Sequence, residues 1–138
     1  MPGNVTTERS MVRAFLPVVW QKAGVTANMS APGEAMVIPG MSIGTLPLPR
    51  DGSIIAVGIV LTTPVTTGLI RFEVTKDGGL TGKQFDMTPA SGVTSLWTFK
   101  PGELQFAKGD RAGLNWGSSA SLVPTGTIEA NVFIEVQW

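Results

Sequence analysis

The side chains that most often carry catalysis are missing from this sequence. It contains no histidine, no cysteine and no tyrosine. That removes the Ser-His and Cys-His pairs, the imidazole general base and the common zinc ligand sets. Carboxylates remain, and glycoside hydrolysis needs two of them about 5 to 9.5 Å apart. Glu129 and Glu135 share one face of an alternating segment, but their spacing along a strand, at about 3.3 Å per residue, separates them by roughly 20 Å. They read as a solvated or interfacial face. Asp77 and Asp86 read as turn residues, and no DxDxDG spacing for Ca²⁺ exists. Gly78-Gly79-Leu80-Thr81-Gly82-Lys83 fails the GxxxxGK[ST] spacing of a phosphate loop and runs on into Gln84, which leaves a plain hairpin turn.

Two further groups of residues have both a structural and a functional reading. In Lys108-Gly109-Asp110-Arg111, Gly109 can take a positive φ at the start of a strand. The Asp110 carboxylate can accept backbone N–H groups or pair with a cation, so Gly109, Asp110 and Arg111 form a candidate structural turn, with a ligand contact as the alternative. Trp20, Trp97, Trp116 and Trp138 could offer stacking faces to sugars. However, Trp97, Trp116 and Trp138 fall on the apolar parity of their segments, which favours core packing.

The elements that must position these residues are strands. Ser53 to Thr63 is a nearly unbroken apolar run rich in Ile and Val, and its β-branched content and flanking Gly and Pro favour strand over buried helix. Leu69 to Lys76 alternates, with Ile70, Phe72 and Val74 on one face and Arg71, Glu73 and Thr75 on the other. The two are expected to form an antiparallel pair, followed by a hairpin turn at Asp77-Gly78-Gly79. Weaker strands are expected at Leu80 to Met87, Val93 to Phe99 and from Ala112 to Trp116. The cleanest is Thr127 to Trp138, where Ile128, Ala130, Val132, Ile134, Val136 and Trp138 face one way. Phe133 is the one apolar residue on the opposite parity. That strand belongs in the middle of a sheet.

With 138 residues, the chain is long enough for one domain with a core plus an arm. The formal net charge is zero, 43% of residues are hydrophobic and only 14% are charged. A phosphate-tracking surface needs a basic stripe, so nucleic acid is not an expected partner. No apolar stretch is long enough for a membrane span and no secretion signal is evident. So sparsely charged a surface fits a protein covered by its own copies or by another protein.

Residues 1–50 read as an extended N-terminal arm with at most short strands, and residues 51–138 as the β-sandwich. Pro17 argues against a helix interior or central strand around Met11 to Trp20. Gly44, Pro47 and Pro49 argue for an extended Met41 to Pro49 without regular pairing. The arm is apolar without enough to form a core alone. Met11, Phe15, Leu16, Val18 and Trp20 are therefore candidate assembly contacts, together with Phe133. Removing residues 1–30 is expected to leave the β-domain folded.

The progression DGSIIAVGIVLTTPVTTGLIRFEVTKDG, FAKGDRAGLNW, a loop with a Pro, and GTIEANVFIEVQW resembles the jelly-roll modules of tailed-bacteriophage virion proteins. A similar strand grammar recurs in jelly rolls of the complement and tumour-necrosis-factor type. The expected fold is all-β, an antiparallel, jelly-roll-like β-sandwich. The phage resemblance implies a capsid decoration protein without enzymatic activity on the virion exterior. It would be a homotrimer whose arm grips the major capsid protein or a neighbouring copy. No catalytic residue, cofactor or metal is expected. The alternatives are a receptor- or carbohydrate-binding module of a phage fibre or tail tip, and an enzyme.

Overall fold

The computed structural model describes residues 13–15 by their backbone and residues 18–30, 33–41 and 44–138 in full. Met11 and Leu16 lie outside the described residues. The strands are β1 (Arg13–Phe15), β2 (Trp20–Lys22), β3 (Glu34–Ala35), β4 (Thr45–Pro47), β5 (Gly52–Leu61), β6 (Ile70–Lys76), β7 (Gly79–Met87), β8 (Thr94–Thr98), β9 (Gln105–Phe106), β10 (Arg111–Ser118) and β11 (Ala130–Gln137), with one 3-10 turn at Pro89–Ser91.

They form two antiparallel sheets. One has six strands in the order β1-β11-β5-β8, with β2 also on β11 and β9 also on β5. The other has five in the order β3-β10-β6-β7, with β4 also on β10. The chain passes from one sheet to the other between β2 and β3, β4 and β5, β5 and β6, β7 and β8, β9 and β10, and β10 and β11. This winding is that of a jelly roll.

β5 and β6 do not pair with each other, contrary to the expectation from their adjacency. β5 lies between β11 and β8, and β6 lies between β10 and β7. The reason is physical: β5 is apolar on both faces and needs a paired strand on each side, and residues 62–69 carry the chain across to the second sheet. β6 and β7 do form a hairpin through Asp77 and Gly78, whose φ values of 52° and 84° suit the tight turn of a right-twisted ribbon.

Alternation builds the core. Ile70, Phe72 and Val74 of β6, Ala112, Leu114 and Trp116 of β10, and Ala130, Val132, Ile134 and Val136 of β11 all point between the sheets and are buried. They meet Ile54, Val57, Ile59 and Leu61 of β5, with Phe85 and Phe106 filling between them.

The described residues between 18 and 50 do not stand apart as an arm. Trp20, Val25, Met36, Ile38 and Leu48 are all in this core, and Trp20 is 0% exposed. β2 pairs with β11, while β3 and β4 pair with β10. The expectation that Met41 to Pro49 lacks regular pairing is thus corrected at β4. Pro47 is tolerated there because β4 has a strand on one side only, so its missing N–H breaks no ladder. Gln21 and Val37 exchange backbone hydrogen bonds of 2.7 and 3.3 Å, tying the margins of the two sheets together. Removing residues 1–30 would strip Trp20 and Val25 from the core, so the folded remainder expected from the sequence is not supported by the packing.

Candidate assembly surface

The outer face of the six-stranded sheet is built from the second parity of three strands. β11 presents Asn131, Phe133 and Glu135. They stand opposite Val60, Gly58 and Ala56 of β5, which in turn stand opposite Thr94, Leu96 and Thr98 of β8. Across β5, β8 and β11, Glu135 is the one ionisable residue. At the centre runs the row Phe133, Gly58, Leu96. A Cβ on Gly58 would overlap the Phe133 ring, so glycine is what allows the ring to lie flat across β5. Leu96 stands up beside it, 66% exposed, and Val60 is 38% exposed.

Leu96 divides two shallow hollows on this face. One, of about 460 Å³, is lined by Gly58, Ile59, Val60, Thr94, Ser95 and Phe133. The other, of about 320 Å³, is lined by Ile55, Ala56, Thr98, Phe99, Pro101 and Glu135. Ile55 reaches the second hollow because the β11 register slips between Glu135 and Val136, which makes it the extra residue of a bulge. The face therefore offers apolar side chains, a projecting knob and recesses beside it, a shape suited to protein contact rather than to chemistry.

The remaining sequence candidates are placed as follows. Val18 is half-buried against the core. Trp20 cannot be a surface contact: it is buried, and its indole N–H donates to the Gly44 carbonyl at 2.7 Å. The segment it ends looked like an arm, but β2 places Trp20 itself inside the sheet. The backbone of Phe15 in β1 pairs with Glu135, beside the apolar face.

Gly109, Asp110 and Arg111 form the turn entering β10. Gly109 has φ 88°. The Asp110 carboxylate accepts the Ala107 N–H at 2.8 Å and pairs with Lys76 at 3.3 Å. These two contacts, the backbone one first, hold the Asp110 carboxyl below its ordinary range. Asp77 accepts the Arg111 N–H at 2.9 Å, and Asp51 accepts that of Lys108 at 2.7 Å. The cluster is consumed in its own turn geometry.

The candidates for carbohydrate and carboxylate chemistry are scattered. Trp116 is buried and donates to Glu34 at 3.2 Å. Lys22 pairs with the same carboxylate at 3.0 Å and lies over the Trp116 ring. Lys22 and then Trp116 hold the Glu34 carboxyl below its ordinary range. Trp97 packs against Phe85 with ring centroids 5.2 Å apart. Glu129 is bonded to Gln21, and Asp86 to Arg71 at 2.7 and 2.8 Å.

What sequence reasoning missed is the row around Phe133. Phe133 itself was visible as a break in parity, whereas Gly58 was hidden inside an apolar run and Leu96 looked like an isolated residue on a polar parity.

The strand order defines a jelly-roll β-sandwich. No family model matches the sequence, and no curated protein is similar to it. Among solved structures, the chain is similar to the globular domain of zebrafish complement 1qA protein. The two are 12% identical, with 86% of this chain and 93% of that chain covered and a TM-score of 0.45. It is also similar to Pika GITRL, at 16% identity, 85% and 94% coverage and a TM-score of 0.34. Likeness at this level carries no argument about function, and the fold rests on the topology described above.

Proposed function

We propose that the protein is a structural assembly module that associates through the outer face of its six-stranded sheet. Three copies pack these faces around a common axis, and the assembly serves as a virion structural protein that decorates the capsid exterior by binding the major capsid protein. The observation that carries the association is the Phe133, Gly58, Leu96 row with Val60 beside it, an apolar surface in which Leu96 and Val60 are exposed and Phe133 is half-buried, with a single carboxylate. Contiguous apolar surface of this kind gains free energy when another protein covers it. The virion assignment rests on the resemblance of residues 51–138 to phage jelly-roll modules and on the lack of histidine, cysteine and tyrosine.

Sedimentation equilibrium tests the association. A trimer that dissociates on Phe133→Ser, with an unchanged circular dichroism spectrum, is expected. A wild-type chain that stays monomeric at its highest soluble concentration refutes it. The capsid assignment is tested separately, by saturable binding of the wild-type oligomer to purified tailed-phage heads. An oligomer that leaves such heads bare keeps the association and removes the decoration role.

A further inference from the structure

Among the described residues, each sheet ends on a strand with one open side, β7 in the five-stranded sheet and β8 in the six-stranded one. An open edge is a template for pairing unless something blunts it. β7 is blunted: its register against β6 shifts between Glu73 and Thr75, Gly82 within it has φ 81°, Lys83 carries a charge and Asp86 is locked to Arg71. β8 has none of these devices. Thr94-Ser95-Leu96-Trp97-Thr98 contains no charge, proline or glycine, and its register against β5 runs without a shift.

The ladder fixes which backbone groups of β8 are open. Leu61 N–H donates to the Val93 carbonyl at 2.7 Å and Phe99 N–H to the Ile55 carbonyl at 2.8 Å. In an antiparallel pair the bonded residues alternate, so Ser95 and Trp97 also turn toward β5. The N–H and C=O groups of Thr94, Leu96 and Thr98 point the other way, and no described residue bonds to them.

We propose that two copies of the chain pair β8 with β8, antiparallel about a twofold axis at Leu96, and join their six-stranded sheets edge to edge. Centred there, the open groups come into phase: Leu96 faces Leu96 of the second copy, and Thr94 faces Thr98. No like charges are opposed, because the strand has none. The Leu96 side chains, each 66% exposed in the single chain, lie side by side on the outer face, so apolar burial accompanies the backbone bonds. The backbone bonds of this pairing use the edge of the sheet and do not rest on the threefold contact; the Leu96 side chain is the one group the two contacts share.

The absence of cysteine makes a clean test available. Opposed residues in such a pair have Cα atoms about 5.5 Å apart, inside the span of about 4.4 to 6.8 Å that a disulfide bridges. Mild oxidation of the full chain carrying Leu96→Cys is expected to give a covalent dimer, while Val123→Cys, on an exposed residue after β10, stays uncross-linked. Adding Thr98→Pro removes an N–H that only the second copy uses and leaves the β5 ladder intact. It is expected to slow cross-linking by about tenfold or more with unchanged thermal melting. Thr94→Pro serves in its place if the Thr98 variant melts early. Phe133→Ser, which alters the face, is expected to leave cross-linking unaffected. The proposal is overturned if Leu96→Cys cross-links no faster than Val123→Cys, or if a folded proline variant cross-links at the parental rate. It is also overturned if Phe133→Ser abolishes the bond, an outcome that assigns the Leu96 contact to the face.

Discussion

The two outer faces of the sandwich are made by the same kind of alternating strand and differ in almost everything else. On the five-stranded sheet, Arg71 and Asp86 form a two-point ion pair, and Glu73, 1% exposed, accepts the Gly82 N–H at 2.7 Å and the Gln84 amide at 2.9 Å. These three charges are answered within the chain. On the six-stranded sheet, the matching positions are Phe133, Gly58, Leu96 and Val60. A face whose polar groups are already satisfied gains little from a partner, whereas an apolar one gains by leaving water. The contrast is the reason the proposed association is assigned to the six-stranded sheet.

The contrast can be broken in order of effect. Phe133→Ser is expected to weaken association by about 30-fold or more, the scale of losing a central aromatic contact of about 2 kcal/mol, with little change in melting; sedimentation and calorimetry read the two parts. On the opposite face, Glu73→Ala should do the reverse, leaving association alone and lowering stability by about 1–3 kcal/mol, because the Gly82 and Gln84 donors lose their acceptor. Urea unfolding measures it.

Paired glycines sharpen the point. A Cβ on Gly113 would meet Thr75 Oγ1 at 2.7 Å and Thr45 Cγ2 at 3.1 Å, so Gly113→Ala is expected to cost about 1–2 kcal/mol of stability. Gly58→Ala should instead tip the Phe133 ring outward and show first as weaker association. Arg71→Ala removes a half-exposed pair and should cost less than about 1 kcal/mol.

The smallest effect concerns pH. Because the Glu34 carboxyl is held below its ordinary range by Lys22 and then Trp116, its contribution is present above that range and is lost as pH falls through the lowered value. The melting temperatures of wild type and Glu34→Gln should therefore differ at neutral pH and converge on acidification, by about 0.5 kcal/mol or less given the exposure of the pair.

Local pattern carried much of the fold. The alternation in β6, β10 and β11 is readable because one face of each is wetted or satisfied and the other is core. Phe133 stood out for the same reason, as a large apolar residue on the wrong parity. Pairings between distant segments left no such trace. Trp20 sits in a strand whose partner, β11, lies at the far end of the sequence, and nothing near Trp20 announces that partner. β4 was concealed by Pro47, which forbids a ladder only where the strand is flanked on both sides. Gly58 could be recognised as a seat for Phe133 only once register was known, because register is set across strands and not along them.

β11 occupies the middle of the six-stranded sheet, bonded to β1 and β2 on one side and β5 on the other, yet it follows all the other described strands in the sequence. During synthesis β5, apolar throughout from Ile54 to Leu61, must wait for about seventy more residues before its central neighbour exists. The nascent chain thus carries a sticky strand with one side open even after β8 has been made, and soluble yield should respond to elongation rate and chaperone supply more than to the stability of the finished sandwich.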